Sequence, residues 1–134
     1  MTDYIAFYGT LMERARASQA PSRAGLTRFL QPCRLAGVLR DHGAYPGFYP
    51  ADADRTGTGP TVEAELHEIL LADAFAVFDR WEEYDAADEA SSLYIRRKMR
   101  LIEPDLQAWV YISQVSEDDP VVPGGDWAVY EGRI

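Results

Sequence analysis

The stretch Tyr4-Ile5-Ala6-Phe7-Tyr8-Gly9-Thr10-Leu11 reads as a short apolar strand running into a glycine turn. Glycine lacks a Cβ, so it accepts φ > 0 and lets a ligand come close to the main chain. The N–H groups of such a turn can hold an anion, and Thr10 adds a hydroxyl donor. Taken alone, the same residues also describe an ordinary strand-to-loop junction.

Working outward, residues 3–8 are the first predicted strand, closed by Gly9. In residues 12–31 the pair Pro21-Ser22 breaks any long helix, so short helix and loop are expected there. Residues 34–40, with Leu35, Val38 and Leu39, form a second strand, and residues 44–49 an extended segment interrupted by Pro46-Gly47. Residues 52–60 are polar, with Gly57 and Gly59, and are expected to be a mobile loop.

Residues 61–70 alternate, with Val62, Ala64 and Leu66 on one face and Glu63, Glu65 and His67 on the other, which predicts a half-exposed strand. The spacing then turns helical over residues 72–84, through Phe75, Phe78 and Trp81. A polar stretch fills residues 85–92. Strands over residues 93–102 and 106–113 follow, joined across Glu103-Pro104-Asp105. The last twenty residues carry Pro120, Pro123, Gly124 and Gly125 and read as coil before an aromatic tail that packs back. Many strands with few helices in mixed order indicate an α+β domain spanning residues 1–134.

With 134 residues, 47% of them hydrophobic and 12% aromatic, the chain has enough apolar material for one core. A net charge of -9 argues against nucleic acid or an anionic membrane as partner. The basic run Arg96-Arg97-Lys98 with Arg100 is expected to form one solvated strand face. The single cysteine, Cys33, forms no internal disulfide, and the sequence opens without a secretory pattern. A cytoplasmic protein is the resulting expectation. His42, His67 and Cys33 supply too few ligands for an all-protein zinc or iron site, so no metal is expected.

Two adjacent acids, Glu82 and Glu83, close the predicted helix. At 100° per residue from Phe75, Phe78 falls at about 300° and Glu82 at about 340°, inside the apolar stripe. Glu83 falls at about 80°, on the side with Asp79 and Arg80 that reads as water-facing. A carboxylate among Phe75, Phe78 and Trp81 loses solvation, which raises its pKa and poises it as a general base. The residues alone equally allow Glu82 to cap the helix end or to pair with Arg96.

Five blocks occur in order: Tyr8-Gly9-Thr10-Leu11, Tyr45-Pro46-Gly47, Phe78-Asp79-Arg80-Trp81-Glu82-Glu83-Tyr84, Tyr94-Ile95-Arg96 with Ala108-Trp109-Val110-Tyr111, and Gly125-Asp126-Trp127. In this series the chain resembles the γ-glutamylcyclotransferase-like family, which includes γ-glutamylamine cyclotransferases and AIG2-like proteins. It departs from the family pattern at Phe78, Trp81 and Glu83, where Leu, Phe and Gly are usual. The resemblance implies a small, mostly antiparallel β-barrel flanked by a few helices.

It also implies an enzyme that releases 5-oxoproline and a free amine from a small γ-glutamyl amine or peptide, with Glu82 as the catalytic glutamate. Tyr8, Gly9, Thr10 and Leu11 would cradle the substrate. Tyr45 would shape the pocket wall, and Tyr94 is a candidate for contact through its hydroxyl. The reaction needs no cofactor, because the substrate's own α-amine is the nucleophile. Two alternatives stand beside this reading: a γ-glutamyl group carried on lysine or on a biosynthetic intermediate, and a non-catalytic binding module that keeps the fold and pocket.

Overall fold

Alternating apolar positions along six short segments assemble one curled sheet in the computed structural model, which describes residues 2–13, 17–51 and 59–132. The strands are β1 (Tyr4–Phe7), β2 (Thr27–Asp41), β3 (Pro46–Pro50), β4 (Thr61–Ile69), β5 (Tyr94–Arg100) and β6 (Gln107–Ser113). Their order is β3-β2-β4-β1-β6-β5, and every neighbouring pair is antiparallel except β1 with β6. Two helices, α1 (Asp73–Trp81) and α2 (Trp127–Tyr130), complete an α+β half-barrel, the architecture expected from the sequence. Most of the 52–60 loop lies outside the described residues.

The curl is fixed by side chains that cross from β3 to the opposite end of the sheet. Tyr94 donates its hydroxyl to the Pro46 carbonyl at 2.6 Å, and the Tyr49 hydroxyl meets Ser113 Oγ at 3.1 Å. Inside, Ile5, Leu35, Leu39, Phe48, Val62, Leu66 and Val110 are fully buried. Helix α1 seals one side of this core through Phe78, whose ring meets Phe7 edge-on at 5.2 Å. The aromatic tail does pack back. Asp126 caps α2 by accepting from Ala128 N and Val129 N, and Trp127 is buried. Gly125 precedes them at φ +66°, where a Cβ would run into the Thr61 carbonyl.

Four expectations need correction. Residues 27–31, predicted as part of a stretch of short helix and loop, begin β2 and pair with β4. The register shifts between Phe29 and Gln31, and Phe29 and Leu30 are exposed, so a bulge and two wet faces erase the alternation that marks a strand. The second face of β4 is not half-exposed at Glu65 and His67, both of which are buried. His67 lies between the Phe7 and Phe29 rings, and Glu65 accepts the Glu13 N–H at 2.7 Å, so the curl covers this face too.

The basic run of β5 is not one solvated face. Consecutive strand residues point to opposite sides, so Arg97 lies on the other face from Arg96, Lys98 and Arg100; Arg97, Lys98 and Arg100 pair at the surface with Glu89, Asp3 and Asp105, while Arg96 pairs with Asp79 of the helix packed over its end of that face.

Helix α1 stops three residues earlier than predicted, at Trp81. Tyr84 N donates to Asp79 O at 2.8 Å and Glu83 N to Arg80 O at 3.2 Å, the paired bonds of a Schellman stop. The left-handed residue that this stop requires is Glu83, at φ +54°. Glycine is favoured there because a Cβ is strained in that region. Replacing Glu83→Gly is expected to stabilise the fold by about 1 kcal/mol, read as a higher urea midpoint at unchanged slope. A lower midpoint would show that the Glu83 side chain contributes more than its backbone costs.

Candidate active site

The end of β1 and the end of α1 converge on one pocket. Tyr8, Gly9, Thr10, Leu11, Tyr45 and Glu82 all line it, together with Tyr111, and it offers about 20 Å³ to the centre of a water-sized sphere. Thr10, Tyr45 and Glu82 also line an adjoining cavity of about 210 Å³, where Tyr94, Trp81 and Leu93 form the remaining wall. Every residue expected at the site from sequence is therefore brought to these two connected spaces.

The glycine at position 9 is needed for a different reason from the one first given. It is not in the left-handed region; instead a Cβ there would meet Pro46 Cγ at 2.6 Å. Gly9 therefore lets the turn lie against the Tyr45-Pro46 segment. Beyond it, the main-chain N–H groups of Gly9, Thr10 and Leu11 donate to no described residue. These three residues line the pocket, and main-chain donors with no described acceptor suit an anion or a developing oxyanion. The Thr10 hydroxyl is engaged, accepting from Trp81 Nε1 at 3.1 Å.

Glu82 occupies the C-cap of α1 and keeps a helical bond, its N–H donating to Phe78 O at 2.9 Å. Helical phase thus holds through Glu82 and breaks at Glu83, which leaves Glu82 half-buried at the pocket and Glu83 exposed. The Glu82 carboxyl has no hydrogen bond or ion pair with any described residue. Burial, and secondarily the Asp79 carboxylate, push it up to about 8. Such a group exchanges protons near neutrality.

Arg96 does not answer that charge. Its guanidinium grips Asp79 in a two-pronged pair, Nε to Oδ1 at 2.9 Å and a terminal nitrogen to Oδ2 at 3.0 Å. The cation is stacked over Phe75 at 4.2 Å and Trp109 at 4.9 Å. Asp79 also accepts the Tyr111 hydroxyl at 2.6 Å, so it is half-buried and not on the water-facing side assigned to it from helical phase.

Tyr94 departs from its expected part, because its hydroxyl is committed to the Pro46 carbonyl and only its ring faces the cavity. Tyr8 likewise donates to the Tyr111 carbonyl at 2.7 Å. Burial holds the Tyr8, Tyr94 and Tyr111 hydroxyls well above their ordinary values, so all three are neutral. Tyr45 is the pocket tyrosine whose hydroxyl binds no described residue.

Trp81, Asp79 and Tyr111 were not singled out as site residues, although each lies in a quoted block. Cys33 is remote from this pocket, and burial pushes its thiol up to about 12. No three metal-ligating side chains cluster among the described residues.

The profile of one family, γ-glutamyl cyclotransferase, AIG2-like, matches residues 5–129. The chain belongs to that family. No curated protein matches the sequence itself. Solved structures share the cyclotransferase-like fold at low identity. A uropathogenic E. coli-specific protein, c4763, superposes with a TM-score of 0.69 at 19% identity, covering 100% of this chain and 98% of its own. PH0828 from Pyrococcus horikoshii gives 0.67 at 13%, over 96% of this chain and 92% of its own. An AIG2-like protein from Mus musculus gives 0.61 at 17%, over 87% of this chain and 80% of its own.

Within this member of the AIG2-like family, Asp79 raises the Glu82 pKa while it is itself paired with Arg96. Asp79→Asn removes the repulsion and frees Arg96, and both changes favour ionised Glu82. A carbon-detected NMR titration of the Glu82 carboxyl should show its midpoint move down from about 8 in the Asn variant. A midpoint that stays or rises would show that burial alone sets it.

Proposed function

We propose that the protein is a γ-glutamyl cyclotransferase acting on a small γ-glutamyl amine or peptide, with Glu82 as general base and acid. The observation that carries this reading is the desolvated Glu82 carboxyl, without a partner among the described residues, beside a turn whose three N–H groups donate to no described residue. The family match supports the same reaction type.

Cyclisation takes nothing from outside the substrate. The γ-glutamyl chain folds so that its α-nitrogen reaches its own γ-carbonyl carbon, and holding that conformer is the main task of the pocket. Glu82, ionised, takes a proton from the α-ammonium, and the freed amine attacks. The carbonyl electron pair moves to oxygen, where the N–H groups of residues 9–11 stabilise it. Collapse breaks the bond to the departing nitrogen, which receives its proton from Glu82. In sum, two protons pass from the attacking to the leaving nitrogen, and Glu82 relays them. A carboxyl near 8 is matched to an α-amino group of pKa ~8, so transfer in either direction is nearly level.

Tyr45, with an uncommitted hydroxyl, and the neutral Tyr8 and Tyr111 rings close the pocket against water. The Trp81–Thr10 bond ties the base-bearing helix end to the cradle, so the two halves of the site keep one spacing.

Incubation with a panel of γ-glutamyl compounds, with 5-oxoproline followed by mass spectrometry, tests the reading directly. Glu82→Gln should abolish product, a loss of at least about a hundredfold, while Glu83→Gln keeps most of it. In the wild type, kcat/KM should fall on the acid side with an apparent pKa near the value of about 8 held by Glu82. Loss in the Glu83 variant instead, or no product from any compound, would favour a binding module.

The same carboxyl couples the site to stability. Its pKa is about 8 when folded against 4.5 for an ordinary glutamate. Between those values the folded chain holds a proton that the unfolded chain has released, so wild-type stability falls as pH rises through the window. Below it, both states are protonated and the penalty vanishes. Glu82→Gln should therefore gain melting temperature over the wild type progressively from pH 5.5 to 9. A variant that loses ground as pH rises would mark Glu82 as a satisfied structural anion.

A further inference from the structure

The Tyr45 wall of the site rests on a buried imidazole. His42 donates its main-chain N–H to the Tyr45 carbonyl at 3.0 Å, and its ring meets the Tyr45 ring edge-on with centroids 5.8 Å apart. Tyr45 faces a second ring, Tyr94, at 6.2 Å, and the Pro46 carbonyl holds that one. The turn itself contributes little else: Gly43 stands at φ +108° in open space, and Ala44 is exposed. The placement of Tyr45 therefore depends on how firmly its two neighbouring rings are held.

The His42 side chain is 1% exposed, and both of its ring nitrogens are engaged. Nδ1 lies 2.6 Å from Asp119 Oδ2, and Nε2 lies 2.9 Å from Ser113 Oγ. These partners assign the hydrogens. A carboxylate only accepts, so in the neutral ring Nδ1 carries the hydrogen and Nε2 is the acceptor. Tyr49 donates its own hydroxyl to the Ser116 carbonyl at 2.7 Å, which leaves the Ser113 hydroxyl to donate to Nε2. Asp119 is tethered to β2 in turn, its carbonyl accepting from Arg40 at 2.8 Å. Gly47 completes the fit, since a Cβ there would overlap His42 Nε2 and Ser113 Cβ.

Serine, histidine and aspartate in this order also describe a nucleophilic relay. Ser113, however, is 5% exposed, accepts the Val115 N–H at 3.1 Å and lines neither cavity at Glu82. The series acts on the ring and not through the serine. We propose that His42 is a positioning residue of the candidate site: locked in one tautomer by Asp119 and Ser113, it holds Tyr45 as the wall shared by the cradle pocket and the Glu82 cavity. The inference rests on the cyclotransferase reading, because a wall of fixed position keeps the γ-glutamyl chain in its folded, reactive conformer.

Nitrogen-resolved NMR of the imidazole and a double-mutant cycle test this together. At alkaline pH the His42 ring of the wild type should show one tautomer, with hydrogen on Nδ1, whereas Asp119→Ala, at a part-exposed position, should give a mixture. With the γ-glutamyl compound that the wild type converts fastest, kcat/KM should fall about tenfold or more in Asp119→Ala. Asp119→Asn, whose amide oxygen still accepts from Nδ1, should recover part of that loss. His42→Ala should cost at least as much in the wild-type background and nothing further in a Tyr45→Ala background, with every variant assayed well below its melting temperature. Equal losses from His42→Ala in both backgrounds, unchanged activity in Asp119→Ala, or a wild-type ring with hydrogen on Nε2 overturns the role of His42 and leaves the cyclotransferase reading intact. No 5-oxoproline from any γ-glutamyl compound overturns both.

Discussion

The Asp79–Arg96 pair is the contact on which the geometry of this protein turns. It joins α1 to β5, and through the Tyr111 hydroxyl it joins both to β6. A half-buried ion pair is weakly stabilising unless its remaining donors and acceptors are satisfied. Here Asp79 accepts three hydrogen bonds, and the Arg96 plane rests on Phe75 and Trp109, so desolvation is offset on both sides. The consequence for the site is positional. Asp79 lies one turn before Glu82, and fixing it sets the angle at which the helix end meets the β1 turn.

The pair also divides labour between two neighbouring acids. Asp79 is given the Arg96 guanidinium and the Tyr111 hydroxyl, and among the described residues Glu82 is given no cation or donor. Both sit at the end of the same short helix, and burial with no answering cation pushes Glu82 up to about 8. Separate environments for adjacent carboxyls are a common way to obtain one permanent charge and one exchangeable proton.

How much of this could be read beforehand depended on whether a feature was local. Strand β1 with its turn, and the apolar stripe of α1, follow from neighbours within a few residues, and the helical phase separated Glu82 from Glu83 correctly in space. The start of β2 was not visible, since its exposed Phe29 and Leu30 and its bulge carry no period. Burial of Glu65 and His67 depends on Phe7, Phe29 and the Glu13 N–H, which come from three other places in the chain. The choice of partner for Arg96 was likewise open, because Asp79 and Glu82 are one turn apart on the same helix. The packing of Phe75 and Trp109 around the guanidinium, with the Tyr111 hydroxyl on Asp79, decides it.

The approach of Pro46 to Gly9 ties together two positions that are distant in sequence. Position 9 cannot change first: a methyl group there collides with the ring at 46, whereas a smaller residue at 46 would make room for it. Lineages of this fold should therefore cross between the two states only in a set order, losing the ring before gaining the side chain. The Tyr94 hydroxyl, which holds the Pro46 carbonyl, adds a third member to that sequence of permitted steps. The cradle is in this sense historically constrained, since the route by which it can change is narrower than the set of shapes it could take.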